Sequence, residues 1–347
     1  MAWGTPNRER RVLKAGHSSI AVTLPKPWAE AMNLRPGDLV VFDQNDDGTL
    51  YLKPAPSAGS NGSAAPYLVQ APSFDTDGVL QRLIIGAYRA GHDAIEIRTD
   101  VALGPERVEE VVDAARGLLG VSVVAQEPNR VVLQNFIDPS KYGLPQLVQR
   151  MKMILVAFLD EMEEVVRRHA RSRRRGTLEE EAKKVLSLLV RQLFLASRDW
   201  GLARRIGSPD PRQLLEWRVV VHALEELASY YGEALELLNE EADKLGEATA
   251  SGFAARVPEL KDRLKDVVDA LMQRSLERAC EVYQGGGNGA RRPAAARRGL
   301  GPGRGPASAR LARHLLERSA LCVDLLAELA IDRAVAAGTE TVLVEAA

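Results

Sequence analysis

Arg8, Arg10, Arg11, Lys14 and Lys26 crowd the start of the chain, and the only acid interrupting them is Glu9. Lysine and arginine bind nucleic acid by displacing counterions from its phosphates, so these residues are candidates for contacts to double-stranded DNA. The competing explanation is a charged, solvated strand edge. Far downstream, His222 and Glu225 lie three residues apart, and so do His314 and Glu317. At that spacing each pair shares one helix face, a candidate for holding a divalent metal; otherwise the glutamates form salt bridges or caps and the histidines lie at the surface. Two more basic stretches run from Arg167 to Arg175 and from Arg291 to Arg304. Both suit phosphates or an acidic partner, or are simply solvated. Cys280 and Cys322 have apolar neighbours and read as small packed residues in a reducing compartment. No Ser-His-Asp, Cys-His or paired-acid arrangement stands out, so no enzymatic activity is expected.

The elements that must position these residues follow from periodicity and from Gly and Pro punctuation. Arg11-Val12-Leu13-Lys14 and Ser19 to Leu24 predict two strands about a Gly16 turn. Pro25 and Pro27 stop the second strand, and Pro27 suits the first turn of a short helix to Leu34. Leu39 to Phe42 and Thr49 to Leu52 predict a hairpin across Asn45-Asp46-Asp47-Gly48. Residues 55–66 are a Pro- and small-residue linker. Residues 67–138 read as strand-helix-strand-helix-strand-strand, a small α/β domain. Residues 139–338 are helical, with predicted helices over Leu144 to Arg171, Leu178 to Ile206, a third past Trp217 to Leu245, Val257 to Tyr283, and Arg310 to Ala337. A Gly-, Pro- and Arg-rich loop over residues 284–309 is predicted to be disordered. Thr339 to Glu345 has the pattern of a tail strand.

With 347 residues, 46% hydrophobic and 5% aromatic, the chain can build more than one core, packed mainly by Leu, Val and Ala. The formal charge of −1 makes any attraction to nucleic acid local. The first residues lack the apolar core of a signal peptide, and no apolar run is long enough to span a bilayer. A cytoplasmic protein, not itself in the membrane, is the expectation.

The pattern Gly16-x-Ser18-x-x-Ala21-Val22-Thr23-Leu24-Pro25-Lys26, then Leu34-x-Pro36-Gly37-Asp38-x-Val40, resembles the SpoVT/AbrB superfamily, which includes MazE-type antitoxins. That resemblance implies a swapped-hairpin β-barrel over residues 1–54, made by two interleaved chains. A unit this small has little core of its own, so a homodimer follows. It also implies DNA binding, with Arg10 and Arg11 matching a basic pair and His17 following Gly16 where the family usually has Arg.

A second resemblance lies in the helices. His222-Ala223-Leu224-Glu225 and His314-Leu315-Leu316-Glu317 are a weak internal repeat, each in the last helix of a half-bundle. The region from Tyr142 to Ala337 resembles the PhoU family, two related three-helix bundles whose late helices carry Leu-Glu-x-Ile-x-Asp. That family binds metal through Glu-x-x-x-Asp pairs; Ser229 and Leu321 stand here at the Asp positions. The order of the three parts resembles archaeal phosphate-uptake regulators. It implies a DNA-binding regulator of phosphate uptake with the bundle receiving the signal. The alternative is an adaptor contacting a phosphate transporter or sensor kinase at the membrane, with the N-terminal part serving only as a dimer clamp. A third possibility is an antitoxin-like module that neutralises a toxin.

Overall fold

A computed structural model describes residues 9–44, 48–55, 66–70, 78–210, 212–285 and 306–338. The chain forms two compact units, Met1–Ser63 and Ala64–Ala347.

In the first unit, β1 (Leu13–Ala15) pairs antiparallel with β2 (Ser19–Ala21). Gly16 turns between them at φ +76°, a conformation that favours glycine. A one-and-a-half-turn helix, α1 (Lys26–Ala31), takes Pro27 into its first turn. The Asp38 carboxylate accepts the Arg35 backbone N–H at 2.7 Å and closes the Arg35-Pro36-Gly37-Asp38 turn. Strands β3 (Val40–Gln44) and β4 (Leu50–Pro54) then form a second antiparallel hairpin, whose Asn45-Asp46-Asp47 turn lies outside the described residues. The expected barrel is not closed within one chain. The two hairpins are separate two-stranded sheets, because one copy supplies too few strands and too little apolar surface to seal them.

The second unit begins with a four-stranded sheet of β5 (Tyr67–Gln70), β6 (Ala94–Arg98), β7 (Val121–Glu127) and β8 (Arg130–Asn135). The spatial order is β5-β6-β8-β7, with β5 parallel to β6 and the other pairs antiparallel. Helices α2 (Val79–Arg89) and α3 (Pro105–Arg116) contact each other and bury Ile84, Tyr88 and Val111 with Ile95, Ile97, Val131 and Leu133. The alternating burial of β8 shows that only one face of the sheet enters this core.

The helical region contains α4 (Leu144–Arg168), α5 (Arg175–Ala196), α6 (Trp200–Arg205), α7 (Arg212–Glu240), α8 (Glu247–Gln273), α9 (Leu276–Gly285) and α10 (Ala307–Ala336). Several expected boundaries move. The first helix stops at Arg168, where His169 adopts a left-handed conformation at φ 52°. The second is cut at Ser197-Arg198-Asp199, and the Asp199 carboxylate caps α6 through the Leu202 N–H at 3.1 Å. The fourth starts earlier, at Glu247 in place of Val257, and continues through Pro258, because buried Phe253 and Val257 hold the turns before it against the core. It breaks instead at Arg274, φ 53°. Residues at both ends of the loop expected over 284–309 are helical: α9 reaches Gly285 and α10 opens at Ala307. Residues 286–305, and the expected tail strand, lie outside the described residues.

Helices α4, α5 and α7 contact one another, as do α8, α9 and α10; α4 against α8 and α7 against α10 join the two sets around one continuous core. The α7–α10 seam is antiparallel. The Ser308 hydroxyl bonds Glu241 at 2.7 Å near one end, and Arg333 stacks 4.2 Å from the Trp217 ring near the other.

Arg191 ties the α/β part to the bundle. Its side chain on α5 is only 2% exposed, donates to the Tyr88 carbonyl at 2.7 Å and the His92 carbonyl at 2.9 Å, and pairs with Asp93. Nearby, the His92 ring stacks on Tyr67 at 4.5 Å between centroids. Burial, then the charges of Arg198 and Arg191, hold the His92 imidazole below its usual 6.5, against a smaller opposing pull from Asp93. The fold therefore favours neutral His92. Its contribution is complete above pH 6.5 and is lost as pH falls from 6.5 through the folded-state value. A thermal-melt series from pH 7.5 to 5 is expected to show falling Tm, with a shallower fall in His92→Asn.

Candidate nucleic-acid interface

The N-terminal unit has no buried residue among those described. Ile20 and Leu39 are each 77% exposed, and Val12, Leu13, Val22, Phe42, Leu50 and Tyr51 are also exposed. Burying one such side chain is worth roughly 1.5–3 kcal/mol, so a single copy forgoes most of the stability its own sequence offers. Each hairpin is a two-stranded sheet, and a sheet edge is the usual template for a second chain.

Around this apolar surface lie the basic residues. Arg10 and Arg11 are exposed just before β1, and Arg10 donates to the Glu9 carbonyl at 3.2 Å. Lys14 is exposed on β1, directly across from Ile20. His17 is exposed in the turn after Gly16. Lys26, at the start of α1, approaches Glu30 at 3.7 Å, with both side chains well exposed. Such a surface pair is worth only about 0–1 kcal/mol and leaves the ammonium available to another anion. Arg8 lies outside the described residues.

The histidine and glutamate pairs do not assemble. His222 is exposed, and the Glu225 carboxylate accepts from Arg89 of α2 at 3.3 Å. His314 sits 4.0 Å from Glu317 and is mostly exposed. Among the described residues, no group of three or more His, Cys, Asp or Glu side chains is placed to hold a metal. Antiparallel packing of α7 against α10 runs the two repeats in opposite directions, so equal spacing along the chain does not bring their pairs together. Ser229 lines a groove between α5 and α7 with Glu225, whereas Leu321 is exposed.

The first Arg run is largely paired: Arg167 and Arg168 with Glu164, Arg174 with Glu161 and Arg175 with Glu179. Arg171 and Arg173 are exposed. The stretch from Arg291 to Arg304 lies outside the described residues. Burial, then the nearby Glu226 charge, raises the Cys322 thiol above its ordinary range, which disfavours the reactive thiolate. Sequence reasoning passed over Arg89, Arg191 and a charged cluster on β6 and β8. The only local hint was Glu96 and Arg98, two apart in a strand, which places both on the face opposite the isoleucines.

A two-hairpin module with a basic edge, followed by strands and then a helix-rich region, is the class this chain defines. Residues 13–60 match the family model described as antidote-toxin recognition MazE, bacterial antitoxin. MazE/AbrB-like domains typically dimerise and bind DNA. No curated protein and no solved structure matches the chain.

Proposed function

We propose that the protein is a DNA-binding transcriptional regulator, in which two copies of the N-terminal module form the DNA-binding unit and the helical bundle receives the signal. The observation that carries this reading is the coreless, apolar first unit edged by Arg10, Arg11, Lys14 and Lys26. A second copy would cover the apolar surface and double the basic one. His17 is exposed beside them in the turn after Gly16, and Arg8 is a further candidate contact from the sequence alone. No helix among the described residues is long and apolar enough to cross a membrane, so a membrane transporter or sensor kinase would be met as a partner.

The finer form of the proposal is regulation of phosphate uptake. It rests on the PhoU resemblance, and the pairing of three-helix sets across α4–α8 and α7–α10 supports it. The alternative is an adaptor whose N-terminal module only clamps the dimer.

Fluorescence anisotropy separates the two readings. Duplex DNA from upstream of the protein's own gene is compared with a scrambled duplex over a salt series. Full-length protein is expected to prefer the upstream duplex, with affinity falling steeply as salt rises. The triple variant Arg10→Ala, Arg11→Ala, Lys14→Ala is expected to lower the log-log salt slope by about 1 for each phosphate contact removed. Equal binding of both duplexes by wild type and variant would leave the adaptor.

A further inference from the structure

Arg98 on β6 and Arg130 on β8 face each other in register across two antiparallel strands. Like charges placed opposite one another destabilise a sheet unless something lies between them. Here it is Glu96, only 3% exposed, whose carboxylate accepts the Nε–H of both arginines, that of Arg130 at 2.8 Å. These two hydrogen bonds, Arg130 first, hold the Glu96 carboxyl below the usual range, so it stays charged and keeps both guanidinium groups fixed. Both bonds use the Nε edge. The Nη edge of Arg98 has no partner among the described residues, and one Arg130 Nη reaches Glu127 at 3.2 Å.

These groups open onto a recess of about 550 Å³, within the range of small-ligand sites. The recess lies at the carboxyl ends of the parallel strands β5 and β6, where open α/β sheets commonly hold ligands. Gln70 and Asn129 add neutral amides to its wall. Asp100 adds a carboxylate that is exposed and has no partner among the described residues. Its loop is pinned, because Thr99 donates its backbone N–H to the Asn129 carbonyl at 3.0 Å and its hydroxyl to the Val101 carbonyl at 2.6 Å.

Both signs of charge are thus on offer in one recess. Two arginines against Glu127 and Asp100 balance in the lining, and buried Glu96 behind them already draws on both guanidinium groups, which disfavours a dianion such as inorganic phosphate. A ligand carrying one carboxylate and one ammonium satisfies both, with the guanidinium fork taking the carboxylate and Asp100 the ammonium. We infer that the α/β domain binds a free α-amino acid in the recess between Arg98 and Asp100.

Isothermal titration calorimetry on the full-length protein tests this with the twenty common amino acids singly. Succinate, putrescine and inorganic phosphate serve as controls for carboxylate alone, amine alone and dianion. At least one amino acid is expected to bind with Kd below about 1 mM, a free energy of roughly −4 kcal/mol, while all three controls bind at least tenfold more weakly. Asp100→Asn is an exposed change that should leave the Tm unmoved, whereas Arg98→Met takes one of two donors from buried Glu96 and should lower the Tm by a few degrees without unfolding the protein; each is expected to weaken binding at least tenfold. The inference is overturned if no amino acid binds. It is equally overturned if phosphate or succinate binds as well and Asp100→Asn has no effect, the mark of a plain anion site, or if binding survives Arg98→Met.

Discussion

Replacing Ile20 and Leu39 together by aspartate is expected to turn a dimer into a monomer and to abolish DNA binding, while the Ala64–Ala347 unit stays folded. Both side chains are 77% exposed in the single chain, and Ile20 shares its cross-strand position with Lys14. If they are buried between two copies, each loses about 1.5–3 kcal/mol of apolar burial when replaced, and each aspartate adds an unpaired charge to a dry interface. Two such changes exceed about 4 kcal/mol, at least a thousandfold in the dimer dissociation constant. Sedimentation velocity at micromolar concentration reads the mass, and anisotropy reads the DNA. The double variant Arg10→Ala, Arg11→Ala, which leaves Lys14 in place on the face it shares with Ile20, is the contrast, keeping the dimer mass while weakening DNA binding. A double-aspartate variant that still sediments as a dimer would mean that these residues are not the interface, and that the helices or the sheet hold the copies together.

Arg191→Met is expected to be the most destabilising single change outside the apolar cores, at roughly 2–4 kcal/mol. Methionine fills the space of the arginine stem but leaves the His92 carbonyl without its donor and the Tyr88 carbonyl with only the Gly91 N–H, at 3.0 Å. It also removes the guanidinium lying 4.8 Å from the Tyr88 ring. The α/β domain and the bundle have separate cores, so the loss should fall on their junction. Hydrogen exchange is expected to speed up in α2 and β6 before it does in α4 or α7. Arg89→Met is the control: that side chain makes only long bonds, 3.3–3.4 Å, to Ser187 and Glu225, and its loss should cost about 1 kcal/mol. Urea unfolding of the three proteins, with exchange read by mass spectrometry, distinguishes a clamp at Arg191 from a side chain whose loss is spread evenly over the unit.

The features legible from the residues alone are local. Gly16, Gly37 and Pro27 mark turns and a helix start, since a positive φ or a missing N–H is set by the residue in place. Pro105 opens α3, and the 3.6-residue spacing of Leu147, Met151, Ile154, Leu155 and Phe158 marks α4 and the face it buries. The N-terminal motif, too, lies within a few dozen contiguous residues. The tertiary structure decided whatever depends on distant residues meeting. The fourth helix, expected to start at Val257, starts at Glu247, because packing of Phe253 and Val257 holds the turns before Pro258 against the core. His222 and His314 look like equivalent ligands in the sequence, yet antiparallel helices keep their pairs apart. Arg191 finds Asp93 from 98 residues away, and Arg130 finds Glu96 from 34. Neither arginine differs in the sequence from its solvated neighbours, because a guanidinium acquires a fixed role only when folding removes its water and supplies a partner.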